Sequence, residues 1–337
     1  MLGQILFTAV NAVTPIILVI CLGYCLRRSG FLTEEFLKIG NKLVFKICLP
    51  AMLFINVYDI KSVDAIQWDI VLYAMAAIGV IFVLGLAVSL ATTKEPKRRG
   101  VILQCTFRSN YAIIGLSLAS ALGGPEAEAV GAILSAFSIP TINVLAIIAL
   151  TVFVDGEKKS VKGILLNIAK NPLIIGVLSG LVCLCIRAAQ TELFGRVVFA
   201  LNVHTKFLYT TLVNLKAITS PLALIVLGGQ FEFSAVKGLL KEIVVGTVWR
   251  IVIAPVIGLG GAIVMAKLGV IACGVNEFPA LIALFGSPVA VSSAIMAGSM
   301  GNDEQLATQL VVWTSLCSIV TIFLTVCVLM GMGYLAV

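Results

Sequence analysis

Two stretches, Phe107-Arg108-Ser109-Asn110-Tyr111-Ala112 and Phe285-Gly286-Ser287-Pro288-Val289-Ala290, fall near the middle of long apolar segments and carry residues that a helix facing lipid excludes. Backbone groups inside a bilayer must be satisfied within the protein, so a broken helix there needs protein or a water-filled cavity around its ends. The two stretches correspond. Phe107 and Phe285, Ser109 and Ser287, Ala112 and Ala290, Ala119 and Ala297, and Gly123 and Gly301 are each separated by 178 positions. The chain is therefore an internal repeat, and paired interruptions at matching places in two apolar halves point to a binding site where they meet.

Composition sets the class. With 60% hydrophobic and 12% charged residues and a mean hydropathy of +1.13, the chain is far from a soluble domain, in which about a quarter of residues are charged. A bilayer core of about 30 Å takes about 20 apolar residues per helix, so 337 residues allow roughly ten crossings and no sizeable soluble domain. The nine cysteines lie mostly in apolar runs, where a thiol acts as a small hydrophobe, and neither disulfides nor a metal site are expected. Met1 to Ile20 carries no Lys or Arg, unlike a cleaved leader, and is read as the first helix.

Spans are expected at about Leu6 to Leu26, Val44 to Val57, Ile70 to Ala91, Val101 to Leu122, Ala129 to Val154, Leu173 to Ala188, Tyr209 to Gly229, Ile243 to Ala266, Pro279 to Met300 and Leu306 to Leu335. Basic residues fill every second loop: Arg27, Arg28, Lys38, Lys42 and Lys46; then Lys94, Lys97, Arg98 and Arg99; then Lys158, Lys159, Lys162 and Lys170; then Lys237 and Lys241. Those loops are expected in the cytoplasm, with both termini outside. The net charge of +7 follows from this bias toward anionic lipid and calls for no nucleic acid. The chain divides into a first five-helix repeat over 1–155, a cytoplasmic linker over 156–172, and a second repeat over 173–337. An odd number of helices per repeat inverts the second copy. Pro50 and Pro221, at matching places in the second and seventh helices, are expected to kink them, since proline removes a helical donor and crowds the preceding turn.

The run Phe107-Arg108-Ser109-Asn110-Tyr111-Ala112-Ile113-Ile114-Gly115-Leu116 resembles the fourth-helix motif of the auxin efflux carrier family, and Asn143-Val144-Leu145 and Arg250-Ile251-Val252-Ile253-Ala254-Pro255 resemble its fifth and eighth helices. The resemblance implies an all-α polytopic membrane protein with ten transmembrane helices in a 5+5 inverted repeat. Broken helices four and nine cross at its centre, as in sodium/proton antiporters and bile acid symporters, beside an organic-anion site. Plant members carry auxin, and bacterial members are associated with malonate, malate and similar carboxylates. Arg108-Ser109-Asn110 stands where the plant carriers have an Asn-Pro-Asn crossover, and the long loop between their halves is missing here, which favours a small carboxylate carrier of the prokaryotic type in the inner membrane.

The chemistry can also be argued from the residues. A break leaves unpaired N–H groups on one half-helix, and such N-terminal ends carry about half a positive charge and bind anions. Breaks at Ser109-Asn110 and Ser287-Pro288 bring these ends together with hydroxyl and amide side chains. Arg108 gives the ligand its sign: a cation near the bilayer centre marks a functional site unless it is paired or wet, and its planar fork suits a carboxylate. The alternative is that Arg108 reaches the cytoplasmic interface or pairs with freed carbonyls. Arg250, at similar depth in the eighth helix, is left open between a structural role, snorkelling or pairing with Glu242, and a part in the site. Asn110, Ser109, Ser287 and Asn143, with Pro288, are expected to line the substrate site, and Pro50 and Pro221 to form its scaffold face.

All 16 acidic residues fall in loops or at helix ends, which argues against cation antiport through a buried carboxylate. The single histidine, His204, is read as a surface residue. No zinc, phosphate-loop or protease pattern occurs, so no enzyme activity and no cofactor are expected. The expected function is alternating-access or facilitative transport of small organic anions, with membrane lipid as the other partner and a homodimer left open. A membrane sensor for a small metabolite or a passive channel are the rivals. The chain ends at Val337, soon after the last span, which leaves little room for a signalling domain.

Overall fold

The computed structural model describes residues 2–59, 67–154 and 170–335. Most of the linker read over 156–172, with Lys158, Lys159 and Lys162, lies outside the described residues. Among the described residues all regular secondary structure is helical, apart from one isolated antiparallel bridge between Ser109 and Val289. Seven of its helical stretches are long and apolar enough to cross a membrane.

The elements in chain order are α1 (Leu2–Arg28), α2 (Glu34–Leu43), α3 (Leu49–Tyr58), α4 (Trp68–Thr92), α5 (Pro96–Phe107), α6 (Leu116–Val152), α7 (Pro172–Phe194), α8 (Leu201–His204), α9 (Lys206–Gln230), α10 (Val236–Val248), α11 (Ala254–Lys267), α12 (Glu277–Gly286), α13 (Ser292–Ser299) and α14 (Glu304–Gly331). α6 is divided at Gly124, whose φ of 68° lies in the left-handed region open to glycine.

Local chemistry explains several of these boundaries. The second span, read from sequence as the short run Val44 to Val57, in fact extends over Glu34–Tyr58. Thr33 caps its start by accepting from the Phe36 N–H at 3.1 Å, and Glu34 and Glu35 sit in the first turn, where a helix favours negative charge. α2 runs into α3 through a wider π turn, Val44–Cys48, which places Pro50 in the first turn of α3 where its missing donor costs little. The same device recurs before Pro255, behind the π turn Trp249–Ile253. α9 continues as one helix through Pro221, and the Thr219 hydroxyl just before it donates to the Cys48 carbonyl at 3.1 Å. The two proline regions are thereby joined.

α1 packs on α9 and α3 on α7, while α4, α5, α6, α10, α11, α12, α13 and α14 pack among themselves; α1 also runs along α14. α1 and α9 meet backbone to backbone. A Cβ on Gly23 would stand 2.3 Å from the Ile225 carbonyl oxygen, and one on Gly228 2.0 Å from that of Ile20, so small residues are required at this crossing.

Polar side chains tie the helices together at both ends of the bundle. At one end Arg98 pairs with Asp303 at 3.1 Å and with Glu242 at 3.2 Å, and Lys241 donates to the Thr92 carbonyl. Glu304 accepts there from Asn41 at 2.6 Å and from Gln230 at 2.8 Å. At the other end Asp69 accepts from the Ala272 N–H, Glu277 from Gln67, Glu126 from Asn276 and Asp59 from Tyr209. His204 is exposed and stacks on Phe199.

Candidate anion site at the helix crossover

α5 stops at Phe107, and the chain leaves helical geometry at Arg108, whose ψ is 104°. It re-enters a helix through the π turn Tyr111–Gly115. In the second half α12 stops at Gly286, Ser287 is extended with ψ 148°, and α13 begins at Ser292. The two extended segments pair with each other. The Asn110 N–H donates to the Pro288 carbonyl at 2.8 Å and the Ala290 N–H to the Arg108 carbonyl at 3.4 Å. The Val289 N–H is satisfied by the Thr314 hydroxyl of α14 at 3.1 Å. Backbone groups freed by one break thus satisfy the other, and irregular backbone can persist at the heart of an apolar bundle because it is buried in protein. The half-helices that follow begin directly beyond the bridge, with the partial positive charge of a helix start.

Two arginines serve these breaks in different ways. Arg250, fully buried, donates its Nε–H to the Ser287 carbonyl at 2.9 Å and its second guanidinium nitrogen to the Leu284 and Phe285 carbonyls at 3.1 and 2.9 Å. It caps the C-terminal end of α12, where orphan carbonyls and a partial negative charge await a cation. The expectation that Arg250 snorkels or pairs with Glu242 is corrected by this arrangement. Glu242 is taken by Arg98, and the carbonyls freed by the break are the nearer and better-aligned acceptors for a planar fork.

Arg108 is 3% exposed, so it does not reach the interface. One guanidinium nitrogen donates to Asn143 Oδ1 and to Ser292 Oγ, both at 2.8 Å, and the other lies against the Met296 sulfur. All three partners are neutral, and no acidic side chain among the described residues pairs with Arg108. Three of the five N–H donors of its guanidinium are so engaged. A buried cation held only by neutral groups has its charge uncompensated, which costs several kcal/mol unless an anion or water joins it.

Arg108 faces a cavity of about 50 Å³, room for a few water molecules. The break supplies one wall with Arg108, Ser109 and Asn110; the second part of α6 supplies Ile139, Ile142 and Asn143. Leu49, Met52 and Leu53 of α3 and Thr219, Ser220 and Ala223 of α9 close the other side, and Ala290 to Ser292 complete it. Ser109 Oγ and Asn110 Nδ2 are buried there without a hydrogen-bond partner, an arrangement that costs about 1–3 kcal/mol per group when nothing fills it.

Arg108, Ser109, Asn110 and Asn143 therefore come together on one cavity. Asn143 plays a different part from the donor expected of it: its Oδ1 accepts from Arg108 while its Nδ2 donates to the Ile139 carbonyl at 2.8 Å, so it orients the arginine. Ser287 and Pro288 do not line the cavity. The Ser287 hydroxyl turns back to the Ala283 carbonyl at 2.6 Å, and Pro288 contributes its carbonyl to the bridge. Pro50 and Pro221 do not themselves line the cavity, although Leu49, Met52 and Ser220 beside them do. Ser292, Met296 and Thr219 were missed by sequence reasoning. The Thr219-Ser220-Pro221 run, polar within an apolar helix, was the available signal for the last. A larger groove of about 360 Å³ between α11 and α14 is lined almost wholly by aliphatic side chains and offers an anion nothing.

The profile of the membrane transport protein family matches residues 8–163 and 157–326. An uncharacterized transporter of Methanocaldococcus jannaschii is 25% identical over 250 residues, spanning 73% of this chain and 76% of the relative. Family and relative are transporters, not enzymes. A helical, integral membrane chain whose broken segments enclose a cavity around a buried arginine is matched over almost its whole length by this profile: it belongs to the membrane transport protein family, that of the auxin efflux carriers.

Proposed function

We propose that the protein carries small organic carboxylates across the plasma membrane of a prokaryotic cell by alternating access, with the carboxylate bound at Arg108. One observation carries this reading. Arg108 is buried, without an acidic partner among the described residues, and faces a cavity in which the Ser109 hydroxyl and Asn110 amide also lack partners. A carboxylate supplies the missing charge and accepts from all three groups.

The proposed topology has ten crossings in two inverted sets of five. The seven long apolar stretches are joined by α1, by the broken pair α5 and the start of α6 as far as Gly124, and by the broken pair α12 and α13. The end that holds Arg98 and Lys241 faces the cytoplasm, and both termini lie outside. In transport, the unit of α4 to α6 with α10 to α14 moves against α1 to α3, α7 and α9, with the cavity between them. Its cytoplasmic seam is held by Glu304 to Asn41 and Gln230.

Purified protein titrated with small mono- and dicarboxylates in a thermal-unfolding assay tests the binding step, because a ligand that binds the folded state raises the melting temperature by mass action. Carboxylates should raise it, and the corresponding neutral amides should not. Equal stabilisation by amides would discard the anion reading.

A further inference from the structure

Among the described residues, Arg108 is the one charged side chain that lines the cavity. Apart from Arg108, its lining comprises hydroxyl and amide groups near the break and a contiguous set of apolar side chains from α3, α6 and α9, notably Leu49, Met52, Leu53, Ile139, Ile142 and Ala223. The α9 wall offers Thr219, whose hydroxyl is already committed to the Cys48 and Leu215 carbonyls, and Ser220. The cations nearest along the wall helices do not face the cavity. Lys46 is exposed, and Lys216 lies 4.0 Å from Asp59. Arg250 is directed to the carbonyls of α12.

We infer that the site selects a monoanion: a short-chain monocarboxylate whose carboxylate meets Arg108, Ser109 and Asn110 and whose apolar tail lies on Leu49, Met52 and Ile142. The inference rests on the carboxylate reading above and goes further by naming which carboxylates fit. Arg108 can compensate one carboxylate. A second would be buried against leucine, isoleucine and methionine with no cation, and burying an unpaired charge is among the costliest changes a site can suffer. A short tail gains from the same wall, since apolar surface removed from water is favourable. A cavity as small as about 50 Å³ favours a short tail over a long one.

The test compares three four-carbon probes, butyrate, succinate and butyramide, on the purified full-length protein by isothermal titration and thermal unfolding. Butyrate should bind at least about tenfold more tightly than succinate, and butyramide should not bind measurably. Ser220→Lys, which adds an ammonium to the α9 wall, should tighten succinate relative to butyrate. If succinate binds the unsubstituted protein as tightly as butyrate, monoanion selectivity is overturned while the carboxylate reading stands. If butyramide binds as tightly as butyrate, the carboxylate reading itself fails, and no response to any of the three removes both. The comparison on the unsubstituted protein decides the matter even where Ser220→Lys does not fold.

Discussion

Replacing Arg108 separates binding from folding in a way few substitutions in this protein can. Arg108→Ala removes a buried charge whose only contacts are Asn143, Ser292 and Met296. For a bound carboxylate the loss is that of one partner from a buried, hydrogen-bonded ion pair, about 3–5 kcal/mol, or a weakening of affinity of about two to three and a half orders of magnitude. For the empty protein the effect on stability is small, because the variant leaves two neutral acceptors unpaired but no longer buries an uncompensated cation. Arg108→Lys keeps the charge on a point-like ammonium that cannot span Asn143, Ser292 and a carboxylate together, so about a tenfold loss of affinity is expected. Isothermal titration with a carboxylate that binds the unsubstituted protein measures both variants, with thermal unfolding as the control for folding. An Arg108→Ala protein that folds and binds within threefold of the original would refute the assignment of Arg108 as the counter-ion.

Arg250 should behave in the opposite way. Arg250→Met strips the donors from the three carbonyls at the end of α12, and at about 1–3 kcal/mol per orphaned buried group the melting temperature should fall well below that of Arg108→Ala, while ligand affinity of the folded protein changes by less than about threefold; equal melting temperatures would deny the capping role. Ser109→Ala and Asn110→Ala should each weaken carboxylate binding by about 1–3 kcal/mol, whereas Ser287→Ala should leave it unchanged, and titration that finds Ser287→Ala the most damaging would relocate the site. Gly228→Leu should disrupt the contact of α1 with α9, because a side chain has no room 2.0 Å from the Ile20 carbonyl oxygen, and detergent-solubilised yield and melting temperature should both drop. A disulfide joining Asn41→Cys and Glu304→Cys should stop transport and leave ligand binding detectable, and transport that survives the crosslink would exclude relative motion of the two units at that seam.

Much of this was legible in the sequence, for identifiable reasons. The breaks were visible because Arg108, Asn110 and Pro288 are residues that lipid does not tolerate and protein-buried backbone does. The surface place of His204 and the grouping of Arg108, Ser109, Asn110 and Asn143 required only local pattern. Side-chain direction was not legible. Ser287 matches Ser109 in the repeat, yet its hydroxyl closes onto the turn before it at Ala283, as serine in a helix commonly does. Nothing in the order of residues says whether Asn143 presents its oxygen or its nitrogen to the site. Arg250 was ambiguous because its true partners are main-chain carbonyls, which exist at every position and become acceptors only when tertiary structure breaks the helix opposite. The early start of the second span was hidden by the charged residues Glu34, Glu35, Lys38 and Lys42, which the helix carries on its exposed side while Leu37 and Asn41 are buried.

The central claim is that this protein moves an organic anion by binding it at Arg108, and counterflow measures that most directly. Proteoliposomes preloaded with unlabelled butyrate should accumulate labelled butyrate transiently and saturably, and vesicles carrying Arg108→Ala should not. Flux that rises linearly with concentration, or counterflow undiminished in Arg108→Ala, would contradict the account.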